Sequence, residues 1–197
     1  MNKTNQLRKM LRRGLVGSAA AQKAGIPFSL IYTLVKRGEA RRVSRGIYAA
    51  ADAGYSDMAD YEMLAMKVPQ GVFCLLSALR LYDLTDENPH ELYLAVRRGY
   101  HPPRVTHPPV CFLYRAEPYY SAEITTIRSN GVAIHVYSLE QTLADCFKYR
   151  NKIGLDIAVA ALREAFNGNQ VDRNKLWDAA RRCRVVRIMR PYLEAFS

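Results

Sequence analysis

The chain has 197 residues, enough for one large domain or two small ones, and its 49% hydrophobic content supports a packed core. Its formal charge of +11 lies mostly in residues 1–50, where eleven Lys/Arg face a single acid, Glu39, for a net of +10. That segment points to a polyanion partner, whereas the lack of any run of about 18 apolar residues or of an apolar signal-type leader excludes a membrane span and leads us to expect a cytoplasmic protein.

In chain order, Leu7, Met10 and Leu11 are spaced for a first helix surrounded by Lys3, Arg8, Lys9, Arg12 and Arg13. Ser18 suits the N-cap of a short second helix, Ala19 to Ala24. Gly25-Ile26 makes the turn. Pro27 starts a third helix, because its missing N–H costs nothing in a first turn. Leu30, Ile31, Leu34 and Val35 recur there as one apolar stripe. Ser29, Tyr32, Thr33 and Lys36 share the other face, whose hydroxyls, phenol and ammonium can hydrogen-bond but do not belong in a core. Arg37 sits where a cation favours a helix C-terminus, and Gly38 suits the left-handed position just beyond it.

The period then changes. Ala40-Arg41-Arg42-Val43 and Ile47-Tyr48 read as two short strands around Ser44-Arg45-Gly46, with Gly46 supplying the positive φ of a tight turn. Three helices with a Gly-containing turn, followed at once by a basic hairpin, have the sequence shape of a winged helix-turn-helix. Such a third helix fits the DNA major groove, and hairpin arginines reach the backbone or minor groove. The candidate DNA-contacting residues are Ser29, Tyr32, Thr33, Lys36, Arg37, Arg41, Arg42 and Arg45. Any one of these features alone would suit a solvated amphipathic helix with a charged turn; the set is what favours double-stranded DNA as partner.

At Ala49 to Gly54 a run of small residues coincides with a charge reversal, because residues 51–100 hold four cations against eight acids. A linker is expected there, dividing a winged helix over 1–50 from a mixed α+β domain over 51–197. Ser56 or Asp57 can cap a helix through Met66. Val72 to Leu76 reads as a short buried strand, Ser77 as the cap of a helical turn through Tyr82, and Leu92 to Val96 and Val110 to Tyr114 as strands. Arg97 to Pro109, with Gly99 and four prolines, must be loop. Glu123 to Ser129 and Val132 to Tyr137 flank Asn130-Gly131, a strong type I′ hairpin signal. His135 in the second of these strands is read as structural. Ser138 and Gln141 form a capping box opening a helix toward Tyr149 with Leu139, Leu143, Cys146 and Phe147 as its stripe. Helices over Leu155 to Phe166, Asp172 to Arg182 and Val185 to Phe196, the last disturbed at Pro191, make a helical C-terminal third. Arg181, Arg182, Arg184, Arg187 and Arg190 form a second basic cluster, by default a solvated face. The fold class expected is therefore α+β.

Cys74, Cys111, Cys146 and Cys183 are far apart with no C-x-x-C, which suits reduced, mostly buried thiols. They share no ligand spacing with His90, His101, His107 or His135, so no metal is expected. Phosphate-binding, dinucleotide, nucleophile-elbow and metalloprotease motifs are absent. The acids form no cluster beside a glycine-rich loop, so neither catalysis nor a cofactor is expected.

As a set, Arg42 to Tyr48 (RVSRGIY), Leu76 to Leu79 (LSAL) and Thr142 to Lys152 (TLADCFKYRNK) resemble the AbiEi-type antitoxins of bacterial abortive-infection toxin–antitoxin systems, in the same order over nearly the whole chain. The last phrase is the specific one. The resemblance implies an N-terminal winged helix that represses its own operon at inverted repeats. It also implies a C-terminal domain that neutralises a nucleotidyltransferase-like toxin without a stable complex, the type IV arrangement. It supplies no catalytic residue. On the helix opened by the capping box, Lys148, with Arg150 and Asn151 at its end, form the candidate antitoxic surface. Two other functions remain open at the sequence level. One is a plain winged-helix regulator with a ligand-binding or dimerising C-terminal domain. The other is an enzyme acting on nucleic acid, which would need convergent carboxylates or a metal.

Overall fold

The computed structural model describes residues 2–54, 57–87 and 89–196. Its architecture is α+β. The first unit begins with α1 (Lys3–Arg12), whose Asn2 side chain accepts the Thr4 N–H and whose Leu7 and Leu11 are buried. A two-residue strand follows, β1 (Val16–Gly17), then α2 (Ser18–Lys23) and α3 (Phe28–Lys36). The wing is β2 (Ala40–Ser44) and β3 (Ile47–Ala50), and β1 pairs with β3 to complete a sheet of order β1-β3-β2. Leu7, Leu11, Val16, Ala21, Ile26, Ile31, Leu34, Ala40, Tyr48 and Ala50 make its core. The apolar spacing of α1 and α3 is what delivers one stripe from each helix to that core.

Three local expectations change here. Ser18 is the first helical residue, and Gly17 caps without a side-chain bond. The Ser18 N–H instead donates to the Gly46 carbonyl at 2.8 Å, tying α2 to the wing turn. Pro27 is the N-cap of α3, in extended backbone, rather than a residue of its first turn. Val16–Gly17 was invisible as a strand because two residues carry no period.

The small residues at Ala49 to Gly54 are not a free linker. Ala49 and Ala50 are buried in β3, where small side chains fit a crowded sheet face. The chain divides into two compact units, residues 1–69 with 127–134, and residues 70–126 with 135–197. The line drawn at residue 50 does not coincide with that division. α4 (Ala59–Lys67) belongs to the first unit and is preceded by Met58, without the side-chain cap expected from Asp57. Ser56 lies outside the described residues. Buried Glu62 of α4 accepts from Ser129 Oγ at 2.6 Å and Asn130 Nδ2 at 2.8 Å. Gly14, at φ +140°, lies so close to Asn130 that an added Cβ would stand 2.5 Å from its Cβ.

The larger sheet has the order β6-β5-β4-β8-β7. It is built from β4 (Val72–Phe73), β5 (Leu92–Arg97), β6 (Val110–Arg115), β7 (Ile124–Ser129) and β8 (Val132–Tyr137). β5 and β6 are parallel, joined by the proline-rich loop in place of a crossover helix. At the hairpin turn Asn130 and Gly131 both have positive φ, +47° and +80°, as a type I′ turn requires. His135 Nδ1 lies 3.1 Å from Thr126 Oγ1 across the hairpin, a structural contact.

The buried strand expected over Val72 to Leu76 is only two residues long. Cys74 caps α5 (Leu75–Leu81), and Ser77 lies inside that helix. Ser77 Oγ accepts the Tyr93 N–H at 2.8 Å, so the serine pins the helix to β5. The remaining helices are α6 (Leu139–Lys148), α7 (Arg150–Ile153), α8 (Leu155–Asn167), α9 (Arg173–Cys183) and α10 (Val186–Ala195), with Pro191 inside the last. Among the described residues no helix is long and apolar enough to cross a membrane.

Ser138 caps α6 by accepting the Gln141 N–H at 3.2 Å. The reciprocal half of the box is absent, because the Ser138 N–H donates to the Glu123 carbonyl instead. Gln141 is thereby free to turn inward. Its Nε2 donates to Asp145 Oδ1 at 3.2 Å, and its Oε1 accepts from Arg182 at 3.2 and 3.3 Å. Asp145 forms a buried ion pair with Arg115, Nη1 to Oδ2 at 2.7 Å. The Arg115 guanidinium also lies 4.6 Å from the Tyr137 ring and 5.8 Å from the Tyr149 ring. Burial opposes the charge on Arg115, but Asp145 more than offsets it and holds the guanidinium protonated.

Candidate nucleic-acid interface

Residues of α3 fall on its two faces as their spacing predicts. Ile31 and Leu34 are buried, with Leu30 and Val35 packed partly against the same core. On the outer face Ser29, Tyr32, Lys36 and Arg37 are exposed and Thr33 is half-buried. Gly38, at φ +70°, ends the helix one residue after Arg37. Tyr32 is 54% exposed, and the Lys36 ammonium lies 4.9 Å from its ring centroid. That contact holds two long side chains along one line without consuming the phenol hydroxyl.

Thr33 is less available than its position suggested. Its hydroxyl donates to the Ser29 carbonyl one turn back, at 2.9 Å, which leaves only oxygen lone pairs for a partner.

The wing sorts its arginines by strand alternation. Arg42 pairs with Tyr48 and therefore shares the face carrying Ala40, Tyr48 and Ala50, the face on which α3 packs. Arg41 pairs with Ala49 on the opposite face, and its guanidinium reaches the Ala53 carbonyl at 3.5 Å. Register shifts between Arg42 and Ser44, where Arg42 Nε donates to the Ser44 carbonyl at 3.3 Å. Arg45 stands exposed in the turn beside Gly46. Eight residues named together from sequence thus divide. Arg42 lies on the sheet face on which α3 packs, Arg45 is in the wing turn, and Arg41 is on the opposite face.

The one acid of the first fifty residues is paired with a cation of α1. Glu39 accepts from Arg8 Nε at 2.7 Å and Nη2 at 3.1 Å, and that guanidinium holds the Glu39 carboxyl below its usual value. Among the described residues, Lys36, Arg42 and Arg45 have no carboxylate within 4.0 Å. Lys36, Arg42 and Arg45 therefore carry positive charge that no described carboxylate neutralises at close range.

One residue of this surface escapes a reading for hydrogen-bonding groups. Phe28, first in α3, is 50% exposed, and its ring meets Tyr48 edge-on at 6.4 Å with an interplanar angle of 69°. The available signal was its position four residues before Tyr32, outside the buried stripe.

The second candidate surface is dispersed. Lys148 is exposed and lies 4.6 Å from the Tyr119 ring. Arg150 is half-buried and donates to the Phe147 carbonyl at 3.1 Å, whereas Asn151 is exposed. In the C-terminal cluster, Arg181 pairs with Asp178 at 2.8 Å and Arg182 approaches Glu123 at 3.5 Å. Arg184, Arg187 and Arg190 are exposed. Among the described residues no group of three or more His, Cys, Asp and Glu is placed to hold a metal ion.

A search of curated proteins finds no match. Residues 5–51 match a family described as transcriptional regulator, AbiEi antitoxin. That interval runs from α1 to just past β3 and takes in every residue of the outer α3 face and the wing. Over this winged-helix segment the chain is similar to the AbiEi antitoxin transcriptional regulators.

Proposed function

We propose that the chain is the antitoxin of a bacterial type IV toxin–antitoxin system and an autorepressor that binds operator DNA through α3 and the wing. The observation that carries the DNA half is that Tyr32 and Lys36 of α3 and Arg42 and Arg45 of the wing are all exposed and without carboxylate partners among the described residues. Tyr32 and Lys36 supply base-edge and phosphate donors from a helix of major-groove dimensions. Arg42 and Arg45 supply phosphate contacts that set register without reading sequence. The antitoxic half rests on the family match and on the second unit, whose Lys148 and Asn151 are the exposed members of the surface read from sequence. It acts on a nucleotidyltransferase-like toxin, without a stable complex. No reaction or cofactor is assigned to the chain.

The test is co-expression with the toxin encoded beside it. Lys36→Ala with Arg42→Ala abolishes promoter repression yet still rescues growth when expressed from a foreign promoter. Lys148→Ala with Asn151→Ala represses normally and rescues poorly, after circular dichroism confirms folding. Rescue that fails in the DNA-binding variant contradicts the division of labour. Full rescue by the second variant removes that surface.

A further inference from the structure

Phe28, Tyr32 and Lys36 occur at i, i+4 and i+8 of α3, so they form one ridge that spans about 12 Å along the helix axis. The ridge changes chemistry along its length, from an apolar ring through a phenol to an ammonium. Phe28 is the anomaly. It exposes half of a large apolar side chain at the start of an otherwise polar face. Its ring is held edge-on by Tyr48, itself buried in β3, so the exposed part is fixed before any partner arrives. A phenyl ring has no group for phosphate or for the donor and acceptor edges of bases. In the major groove its apolar counterpart is the 5-methyl group of thymine. The N-terminal residues of a recognition helix are the ones that meet base edges.

We propose that Phe28 reads thymine methyl groups in the operator and makes A·T pairs part of its sequence preference, an inference that rests on the DNA-binding function proposed above. Tyr32 and Lys36, one and two turns further on, contact the pairs that follow along the groove.

The experiment compares the full chain on its own promoter fragment synthesised with thymidine or with deoxyuridine throughout, which removes every 5-methyl group and keeps every hydrogen-bonding edge. Wild type binds the uridine fragment about fourfold more weakly for each methyl buried, the ratio expected for one CH₂ removed from water. Phe28→Ala binds both fragments equally, at the affinity wild type shows for the uridine DNA. Phe28→Leu, which keeps an apolar group, retains part of the discrimination. Single thymidine-to-deoxyuridine replacements along the fragment then locate the methyls without any protein variant. Equal binding of both fragments by wild type overturns the proposal while leaving DNA binding intact. So does a Phe28→Ala chain that weakens on both fragments by the same factor, which would make Phe28 a packing partner of Tyr48. Absence of promoter binding by wild type removes the DNA function itself, a result distinct from either.

Discussion

The α3–wing surface and the helix α6 use their polar residues in opposite ways. On α3 and the wing, Tyr32, Lys36, Arg42 and Arg45 face outward without carboxylate partners among the described residues. On α6, Gln141, Thr142 and Asp145 face inward, and all are almost fully buried. There Thr142 Oγ1 donates to the Tyr137 carbonyl at 3.2 Å and Asp145 takes Arg115. The TLADCFKYRNK phrase is thus mainly a folding device, since its aspartate closes a buried pair and its Cys146 and Phe147 fill the core. A run rich in polar side chains serves internal packing as readily as ligand contact.

The sharpest way to break this contrast is to remove one partner of the buried pair. Arg115→Ala or Asp145→Ala leaves an unpaired buried charge and costs about 3–5 kcal/mol of unfolding free energy in urea. The double change Arg115→Met with Asp145→Leu recovers most of it. A loss below about 1 kcal/mol for either single variant would mean the pair is solvated and α6 no different from α3.

A smaller effect belongs to the first unit. Gly14→Ala places a side chain against Asn130 in a backbone conformation that L residues rarely adopt, and costs about 1–3 kcal/mol. Thermal unfolding reads the change, and an unchanged midpoint would show that residues 127–134 do not pack on Gly14.

Outward-facing residues should barely touch stability and act on DNA instead. Arg42→Ala and Arg45→Ala each weaken binding to all sequences and flatten the log K against log salt slope by about one unit. Arg41→Ala, on the opposite strand face, changes the slope less. Tyr32→Ala relaxes sequence preference. Equal effects from Arg41 and Arg42 would contradict the sorting by strand alternation.

The smallest effect is a pH dependence confined to the second unit, which holds all four cysteines. Burial pushes the Cys74 and Cys183 thiols up to about 12. The folded state therefore favours the neutral thiol, and stability is full below the unfolded thiol value of about 8.5 and falls as pH rises above it. Between pH 8 and pH 9 the loss is about 0.7 kcal/mol for each thiol. Urea midpoints at the two values test the direction, and Cys183→Ala removes its share.

Much of this was legible in the sequence, for identifiable reasons. Helix periodicity placed α1, α3 and α6, and the Asn130-Gly131 pair placed the hairpin, because each signal is local. Ala49 and Ala50, read as the start of a linker, belong to β3, because small residues serve a buried strand as well as a linker and only the β3 pairing decides between them. Ser18 and Ser77 were read as caps on side-chain chemistry alone. Both have tertiary partners, the Gly46 carbonyl for the Ser18 N–H and the Tyr93 N–H for the Ser77 hydroxyl, which no local spacing encodes. At the interface, residue type and spacing found the polar face of α3. The separation of Arg41 from Arg42 required the strand register, and the exposure of Phe28 required the tertiary fold.

The central claim is that α3 and the wing carry the DNA contact, and the salt dependence of promoter binding tests it most directly. For the full chain the slope should be near about −4 per bound protomer, and Arg42→Ala with Arg45→Ala should bring it to about −2. Replacing Arg184, Arg187 and Arg190 together should leave it unchanged. A slope that survives the wing variant and collapses with the C-terminal arginines would contradict the claim and move the nucleic-acid surface to the end of α9 and α10.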